Sequence, residues 1–439
     1  MSSPSRSILL VAYFYPPSRD TGAHRPASMA RHLRGLGHRV TVLTTAAYGR
    51  LGDDDGPQGD GPTGDVARAA DLQLVRARMR GHDRVDSLFD SDTYSGQPHP
   101  LAKVIVPEPL ALAWAPFAAR VGRRLQRERG FDCVITTSPP ESAHLVGRAV
   151  QRAGAAWVAD LRDAWTFEPL RPPFPTKLQR RADERMERRL LAAADAVVAV
   201  SKPVVDDLAR RRIADGILVP NGWDADAIAP PAGAGGFPAP AEPVAELLDP
   251  ERVSLVYTGR FGSYGRDPRP LLDAVRALAA SDPDTAGRLE LVVAGPLTDE
   301  EKRLFEGGFD PVRVRLAGSL PRERALALQG AADALLLIAQ STRTQLPNFK
   351  LFEYLAAGRP ILALAAGTEA GRIVTETGAG EAVRADDPAA IEAALRALVA
   401  GELATPPEEA RREYSYPLLA ERMGEAVEAA ILRRGARRG

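Results

Sequence analysis

Short runs of apolar residues alternate with longer stretches rich in Ala, Leu and Arg along most of the chain. The short runs, such as ILLVAYF near the start, are continuously apolar, as expected of strands buried on both faces of a sheet. The longer stretches repeat apolar residues at the spacing of an amphipathic helix. Alternation of this kind predicts βαβ units built around parallel sheets.

This pattern assigns most of the chain to elements. The predicted strands are residues 7–13, 39–44, 132–137, 155–160, 196–201, 217–219, 253–258, 289–294, 312–316, 334–338 and 360–364. The predicted helices include residues 22–36, 110–127, 177–191, 388–400 and 418–432, with others between the later strands.

A segment rich in Pro and Gly divides the two sets of elements. It predicts a first domain at residues 1–226, a linker at 227–249 and a second domain at 250–415, with the helix at 418–432 packing back on the first. The expected fold class is α/β, with two Rossmann-like doubly wound domains facing across a cleft. Ligands of such folds bind at the carboxyl ends of the strands.

Composition narrows the functional classes. Lys and Arg together number 57, as do Asp and Glu, so no overall charge favours nucleic acid as a partner. The single cysteine, Cys133, lies in an apolar run and is expected in the core. The first apolar run is too short to span a membrane, and we expect a cytoplasmic protein. Nothing in the sequence indicates an oligomeric state.

Membrane contact is a separate question. The predicted helix at residues 110–127 combines apolar residues with clustered arginines, as an interfacial helix does. A helix that packs on a sheet and extends its arginines into solvent has the same pattern. Both interpretations stay open, and the first implies weak peripheral contact with the inner face of the membrane.

A metal site is not expected. Asp53, Asp54 and Asp55 form the densest acidic group, but they lie among glycines and prolines in residues 48–64. No strand pattern leads into this segment to hold carboxylates around an ion. We therefore expect neither a metal nor another cofactor.

The most informative segment is QLPNFKLFEYLAAGRPILAL, residues 345–364. It predicts a helix that begins near Asn348 and ends at Gly358. Backbone amides near Asn348, Phe349 and Lys350 then form a site for a diphosphate. Glu353, three residues after Lys350, lies on nearly the same face and is able to accept both hydroxyls of a ribose. The alternative is a surface Lys–Glu pair.

A second cationic segment, GRFGSYGR, follows the strand at 253–258. A Gly-rich loop with Arg260 and Arg266 is suited to neutralise a departing phosphate. An ordinary βα turn with solvated arginines is the alternative, and Arg269 is a further candidate with a surface location more typical of its position. No GxGxxG follows the first strand, which weighs against NAD.

Several segments, in this order, resemble GT-B glycosyltransferases of family 4. They are FYPPSRDTGAHRPASMARHLRGLGHRVTVLT, TTSPPESAHLVG, VADLRDAW, AVVAVSKPV, VPNGWD, YTGRF with Arg266, and KLFEYLAAGRPILAL. The closest branch acts in bacterial polysaccharide and glycoconjugate pathways.

The resemblance implies a retaining hexosyltransferase that takes a sugar from a UDP-, GDP- or dTDP-sugar to a hydroxyl acceptor. The acceptor is a glycan, a lipid-linked molecule or a small molecule. The resemblance further implies that Arg260 and Arg266 hold the donor phosphates and that Glu353 binds ribose. The loop around Gly22 would close on the phosphates, and residues near 318–322 would meet the base.

Two departures from the family pattern matter. Gln345 stands where the family has the first of two acids, which affects the expected contact with the donor sugar. Asp160, Arg162 and Asp163 occupy the region where many relatives have a histidine. One aspartate is then a candidate to orient or deprotonate the acceptor hydroxyl, and one to pair with Arg162 as a brace.

Two other functions remain open. One is a nucleotide-sugar epimerase, which shares the two-domain architecture. The other is a non-catalytic nucleotide-sugar-binding protein, motivated by Gln345.

Overall fold

The structure is a computed structural model that describes residues 4–18, 21–47, 65–73, 104–169, 174–224, 244–262, 265–339 and 343–438. It divides the chain into two compact units. Unit 1 comprises Met1–Pro220 and Leu419–Gly439, and unit 2 comprises Asn221–Leu418. The predicted domain boundary, at residue 226, and most of the predicted linker lie outside the described residues, as do Asp53, Asp54 and Asp55.

Unit 1 is built on a parallel sheet with the order β3-β2-β1-β4-β5-β6-β7. Its strands are β1 (Ser7–Ala12), β2 (Arg39–Thr45), β3 (Val66–Ala69), β4 (Cys133–Ser138), β5 (Ala156–Leu161), β6 (Ala196–Ala199) and β7 (Gly216–Leu218). The helices that belong to it are α1 (His24–Gly35), α2 (Leu110–Ala113), α3 (Ala115–Arg129), α4 (Ala143–Arg152), α5 (Lys177–Ala193) and α6 (Lys202–Arg210).

Unit 2 has a parallel sheet with the order β10-β9-β8-β11-β12-β13. Its strands are β8 (Val253–Thr258), β9 (Leu289–Ala294), β10 (Arg313–Gly318), β11 (Ala334–Ile338), β12 (Ile361–Leu364) and β13 (Gly380–Val383). Its helices are α7 (Arg269–Ser281), α8 (Pro283–Gly287), α9 (Asp299–Arg303), α10 (Arg322–Ala331), α11 (Phe349–Ala357), α12 (Glu369–Glu376), α13 (Pro388–Ala400) and α14 (Glu408–Arg412).

Both units are doubly wound α/β structures, as the alternating pattern predicts. In each sheet the first strand lies near the centre. The side on which successive strands are added changes there, between β1 and β4 in unit 1 and between β8 and β11 in unit 2. The central strands are buried along most or all of their length because helices cover both faces. Crevices form at the carboxyl ends of the strands beside such reversals.

The last helix, α15 (Tyr416–Ala436), contributes its residues from Leu419 onward to unit 1. Glu428 accepts two hydrogen bonds of 2.6 Å from the Arg6 guanidinium. Arg437, one turn from the end of the chain, donates to Asp195 at 3.1 Å. These ion pairs attach the helix beside the amino ends of the strands.

The predicted helix at residues 110–127 is interrupted at Trp114, where α2 ends and α3 begins. Pro116 lies in the first turn of α3, and a proline further inside a continuous helix would remove a backbone hydrogen bond and clash with the preceding turn. The tryptophan itself is completely buried. The proline therefore explains why one predicted helix is two.

The apolar face of α3 packs on its own unit. Ala118, Gly122 and Leu125 of α3 are buried, and a Cβ atom on Gly122 would lie only 2.8 Å from Val150 of α4. The exposed face of α3 carries arginines instead of apolar side chains. Within the described ranges, no helix has both the length and the apolar content needed to cross a bilayer.

Close packing between α4 and the sheet generates a stability prediction. A Cβ atom added at Gly147 would lie 2.6 Å from Thr136 Cγ2 and would also overlap the Trp157 indole. Gly147→Ala should therefore destabilise the protein by about 1–3 kcal/mol through overpacking, measured as a lower melting temperature in calorimetry.

Gly35→Ala is the matched control, because Gly35 is also helical and a Cβ atom there meets nothing within 4 Å. That variant should be neutral or slightly more stable. Equal melting temperatures for the two variants would contradict the packing described for α4.

Candidate functional site

A cavity of about 250 Å³ lies at the carboxyl ends of three neighbouring strands of unit 2, β8, β9 and β10. Gly259 and Gly295 follow β8 and β9, and their backbones nearly touch. A Cβ atom on Gly295 would lie 2.8 Å from the carbonyl carbon of Gly259, so only glycine fits there. Helices α10 and α11 form the opposite wall, which contains Gln329, Lys350 and Glu353.

Helix α11 begins beside this cavity. Asn348 caps it, and its side-chain oxygen accepts a hydrogen bond from the Leu351 amide at 3.1 Å. Phe349 and Lys350 form the first turn, at the positive end of the helix dipole. Gly358 ends the helix in the left-handed conformation. The N-terminal end of α11 therefore presents a positive electrostatic field at the edge of the cavity.

Glu353 is the most constrained ionisable group of the cavity. Its residue is only 3% exposed, yet each carboxylate oxygen accepts a hydrogen bond of 2.8 Å, one from Arg322 and one from Lys350. Burial opposes ionisation, but these two cations outweigh it and hold the pKa of the carboxyl below its ordinary value.

The burial of Glu353 excludes the alternative of a surface Lys–Glu pair. A carboxylate offers about four acceptor sites, and the two cations use two of them. Capacity therefore remains for two further donors.

Arg260 and Arg266 lie in the loop after β8. The carbonyl oxygen of Arg260 accepts hydrogen bonds from the Tyr257 hydroxyl at 2.7 Å and from the Arg266 guanidinium at 3.2 Å. Burial raises the pKa of the Tyr257 phenol, which therefore keeps its donating proton. These contacts fix the backbone of Arg260, whose side chain is exposed. Arg266 is thus bonded to the Arg260 backbone, whereas the Arg260 side chain lies open to solvent.

Arg269 and Gln345 are not among the residues that line the cavity. Arg269 pairs with Asp267 at 2.7 Å and its side chain is 69% exposed, as its position in the sequence suggests. Gln345 is buried in the turn that precedes α11 and does not line the cavity.

In unit 1, Asp160 lies at the carboxyl end of β5 and is 2% exposed. Of the two aspartates that could pair with Arg162, Asp160 does not do so, because both of its oxygens accept hydrogen bonds from Arg25, at 2.8 and 3.1 Å. Arg25 also donates to the carbonyl oxygens of Val219 and Pro220. The pair ties α1, β5 and the segment after β7 together.

Arg162 contacts a different set of groups. Its guanidinium donates to the carbonyl oxygen of Gly22 and, at 3.1 Å, to that of Pro139. It also lies 5.9 Å from the centre of the Phe14 ring. Asp163 is half-buried on the same loop. The structure thus brings Arg162 and the predicted Gly22 loop together at one edge of the unit 1 sheet.

Within the described ranges, no three His, Cys, Asp or Glu side chains are grouped so that they could hold an ion.

Two sequence families match the chain. The "Glycosyl transferase 4-like domain" matches residues 21–222, and "Glycosyl transferases group 1" matches residues 252–401. The first match covers nearly all of the unit 1 sheet and the second covers the unit 2 sheet. The chain is a GT-B glycosyltransferase of the family 4-like type.

Solved structures share the fold of this glycosyltransferase at low sequence identity. Sucrose-phosphate synthase from Thermosynechococcus elongatus is 16% identical, with a TM-score of 0.58 over 96% of this chain and 98% of that one. An α,α-trehalose-phosphate synthase (UDP-forming) from Burkholderia vietnamiensis is 15% identical, with a TM-score of 0.56 over 98% and 100%.

A third similar structure is named as a different kind of enzyme. It is a putative UDP-N-acetylglucosamine 2-epimerase from Listeria monocytogenes, 14% identical, with a TM-score of 0.51 over 97% of this chain and 96% of that one. No curated protein matches the glycosyltransferase significantly by sequence.

Two contacts of the glycosyltransferase are not identifiable from sequence pattern. Arg322 pairs with Glu353 across 31 positions, and Arg25 pairs with Asp160 across 135. Lys350 and Glu353 are three positions apart on one helix, so their contact follows from helical periodicity. No comparable local signal exists for the two long-range pairs.

The ionisation of Glu353 predicts a pH effect on stability. Because its pKa is lowered in the folded protein, its contribution to stability is present above the ordinary value of 4.5 and is lost as pH falls through the folded value. Urea unfolding of wild type and Glu353→Gln should therefore differ most near neutral pH, and the difference should shrink in acid.

Glu409→Gln, which changes an exposed glutamate of α14, is the control. It should stay within about 0.5 kcal/mol of wild type at every pH. A Glu353→Gln difference that does not change with pH would show that the carboxyl is not held ionised.

The buried Arg25–Asp160 pair predicts a large loss of stability when one partner is removed. Arg25→Met leaves a buried carboxylate uncompensated and should lower the unfolding free energy by about 3–5 kcal/mol. Lys202→Met removes an exposed partner of Asp206 and should cost less than about 1 kcal/mol.

The double variant Arg25→Met/Asp160→Asn should recover part of the loss, because it leaves no unpaired charge. If Arg25→Met unfolds at the same urea concentration as Lys202→Met, the buried pair is not a structural brace.

Proposed function

We propose that this glycosyltransferase is a retaining hexosyltransferase that moves a sugar from a nucleoside diphosphate sugar to a hydroxyl acceptor. The donor binds in the cavity of unit 2, and the acceptor binds at the carboxyl ends of the unit 1 strands. The observation that carries the proposal is the buried, ionised Glu353 in a cavity edged by a helix N-terminus and a structured arginine loop.

The diphosphate of the donor binds to unit 2 through backbone and side-chain donors. Amides of Phe349 and Lys350, at the start of α11, favour an anion because of the helix dipole. Arg260 and Arg266 supply positive charge from the neighbouring loop. Guanidinium groups and backbone amides thereby take the neutralising role, and no metal is required.

The nucleoside binds deeper in the same cavity. Glu353 keeps two acceptor sites after its bonds to Arg322 and Lys350, which matches the two hydroxyls of a ribose. Residues at the end of β10, near Ser319, line the wall where the base lies. Gln345 is buried beside the start of α11, from where it influences the donor sugar indirectly.

Transfer occurs at the anomeric carbon with retention. The bond from that carbon to the phosphate oxygen breaks, and its electron pair stays on the phosphate. The acceptor oxygen bonds to the same face of the carbon, and its proton passes to the departing phosphate oxygen. Arg260 and Arg266 stabilise the charge that develops on that phosphate.

This mechanism requires no separate general base, which fits the contacts of Asp160. A base must be able to reach the acceptor hydroxyl, and Asp160 is buried with both oxygens bonded to Arg25. Asp160 therefore acts as a brace. Arg162 positions the Gly22 loop, and Asp163 is the carboxylate of this edge that orients the acceptor. The acceptor is a glycan, a lipid-linked molecule or a small molecule, encountered in the cytoplasm or at the inner face of the membrane.

An epimerase is the second candidate, because one protein of similar structure is a putative UDP-N-acetylglucosamine 2-epimerase. An epimerase converts the donor into an isomer without an acceptor, whereas a transferase releases nucleoside diphosphate. A non-catalytic binding protein would do neither. Chromatography of the products of a UDP-sugar incubation separates all three.

The test is turnover of UDP-, GDP- and dTDP-glucose by the purified protein in EDTA. Wild type should release the nucleoside diphosphate from at least one of them. Arg260→Ala and Glu353→Ala should each lower that rate by at least about 100-fold, because each removes a charged contact to the donor.

Arg269→Ala is the matched control. Arg269 lies at the start of α7, directly after the loop that contains Arg260, but it pairs with Asp267 on the surface. It should keep the wild-type rate. Full activity in both Arg260→Ala and Glu353→Ala would contradict the donor site, and circular dichroism would establish that each variant is folded.

A further inference from the structure

Gln329 is a buried polar residue that the proposed chemistry does not use. It lies on α10, is completely buried, and forms part of the wall of the unit 2 cavity. Its side-chain nitrogen donates to the Thr258 hydroxyl at 2.9 Å. Its side-chain oxygen has no hydrogen-bond partner in the described part of the chain.

An unsatisfied acceptor at such a site is costly. Leaving a buried polar atom without a partner costs about 1–3 kcal/mol, and most buried side-chain polar atoms in proteins have one. The Gln329 amide is held in place because its partner, Thr258, is itself fixed. The Thr258 hydroxyl lies 3.3 Å from the Tyr354 hydroxyl, and the Thr258 backbone N–H donates to that hydroxyl at 3.1 Å. The oxygen is therefore held beside the cavity by a buried network.

The partner of this oxygen must be a hydrogen-bond donor. An ionised diphosphate offers acceptors only, so it cannot satisfy a carbonyl oxygen. A nucleoside offers both O–H and N–H donors. Glu353, on another part of the same wall, is likewise an acceptor with spare capacity, so a ligand that brings donors has two acceptors to bond in this cavity.

The size of the cavity agrees with this assignment. Pockets that enclose complete small ligands have volumes of roughly 300–1,000 Å³. A cavity of about 250 Å³ takes part of a nucleotide sugar, with the remainder outside. The hexose also carries O–H donors, but the proposed function places the nucleoside, with its ribose on Glu353, in this cavity.

We propose that Gln329 is a nucleoside-binding residue of the donor site, whose side-chain carbonyl accepts a hydrogen bond from the nucleoside. The inference rests on the proposed function, because it takes the unit 2 cavity as the donor site. It adds a contact that lies outside the diphosphate-binding loop and the Glu353 cluster.

The experiment compares binding of UDP, GDP and inorganic pyrophosphate to wild type and Gln329→Leu by calorimetry. The variant keeps the side-chain volume, and Thr258 retains Tyr354 as a partner. It should bind the nucleoside diphosphate about tenfold more weakly, or ~1.4 kcal/mol, while pyrophosphate affinity stays the same. The melting temperature without ligand should not fall, because an unsatisfied oxygen has been removed.

Gln126→Leu provides the opposite control. Gln126 is a buried glutamine of unit 1 whose two amide atoms are both bonded to the Phe131 backbone at 3.2 Å. Its loss should lower the melting temperature and leave UDP affinity unchanged. The two variants thus separate a ligand-binding glutamine from a structural one.

Wild-type affinity for UDP and GDP in Gln329→Leu would overturn the inference, as would an equal loss of pyrophosphate affinity. If wild type binds neither UDP nor GDP, and does not bind dTDP in a parallel titration, the proposed function fails as well. If wild type binds one of them and Gln329→Leu binds it equally, only the role of Gln329 fails.

Discussion

The proposed donor site depends on keeping a carboxylate charged inside a helix that is otherwise almost entirely apolar. Glu353 lies among buried Leu351, Phe352 and Tyr354, an environment that by itself would favour the neutral acid. Lys350 from the same helix and Arg322 from α10 reverse that preference. The same contacts fix α10 against α11 beside the cavity, so the charge and the shape of the site are linked.

Unit 1 also contains a buried carboxylate, Asp160, but its cationic partner is buried as well. Arg25 and Asp160 are both about 2% exposed, and their bonding groups are directed at each other and at backbone carbonyls. The cations at Glu353 are more accessible, with side-chain exposures of 50% for Arg322 and 33% for Lys350. A ligand is able to compete for exposed cations but not for an enclosed pair. This difference distinguishes the Glu353 cluster, which is suited to binding, from the Arg25–Asp160 pair, which is a structural brace.

Several elements follow directly from local sequence. The strands β8, β9 and β11 have the predicted bounds, because each is a mostly apolar run flanked by polar or small residues. The short strands β3 (Val66–Ala69) and β13 (Gly380–Val383) were not predicted, since each contains a charged residue and too few apolar ones to show a pattern. They form because backbone groups at the sheet edge pair with β2 and β12.

By itself, the sequence determined the alternation of strands and helices, the start of α11 and the spacing of Lys350 from Glu353, because these depend on neighbours within one or two turns. Only the tertiary structure decided that Arg322 pairs with Glu353, that Arg25 instead of Arg162 pairs with Asp160, and that Gln329 meets the cavity with an unbonded oxygen. Those contacts join residues distant in the chain, and they exist only after parallel strands bring their loops to one edge of a sheet.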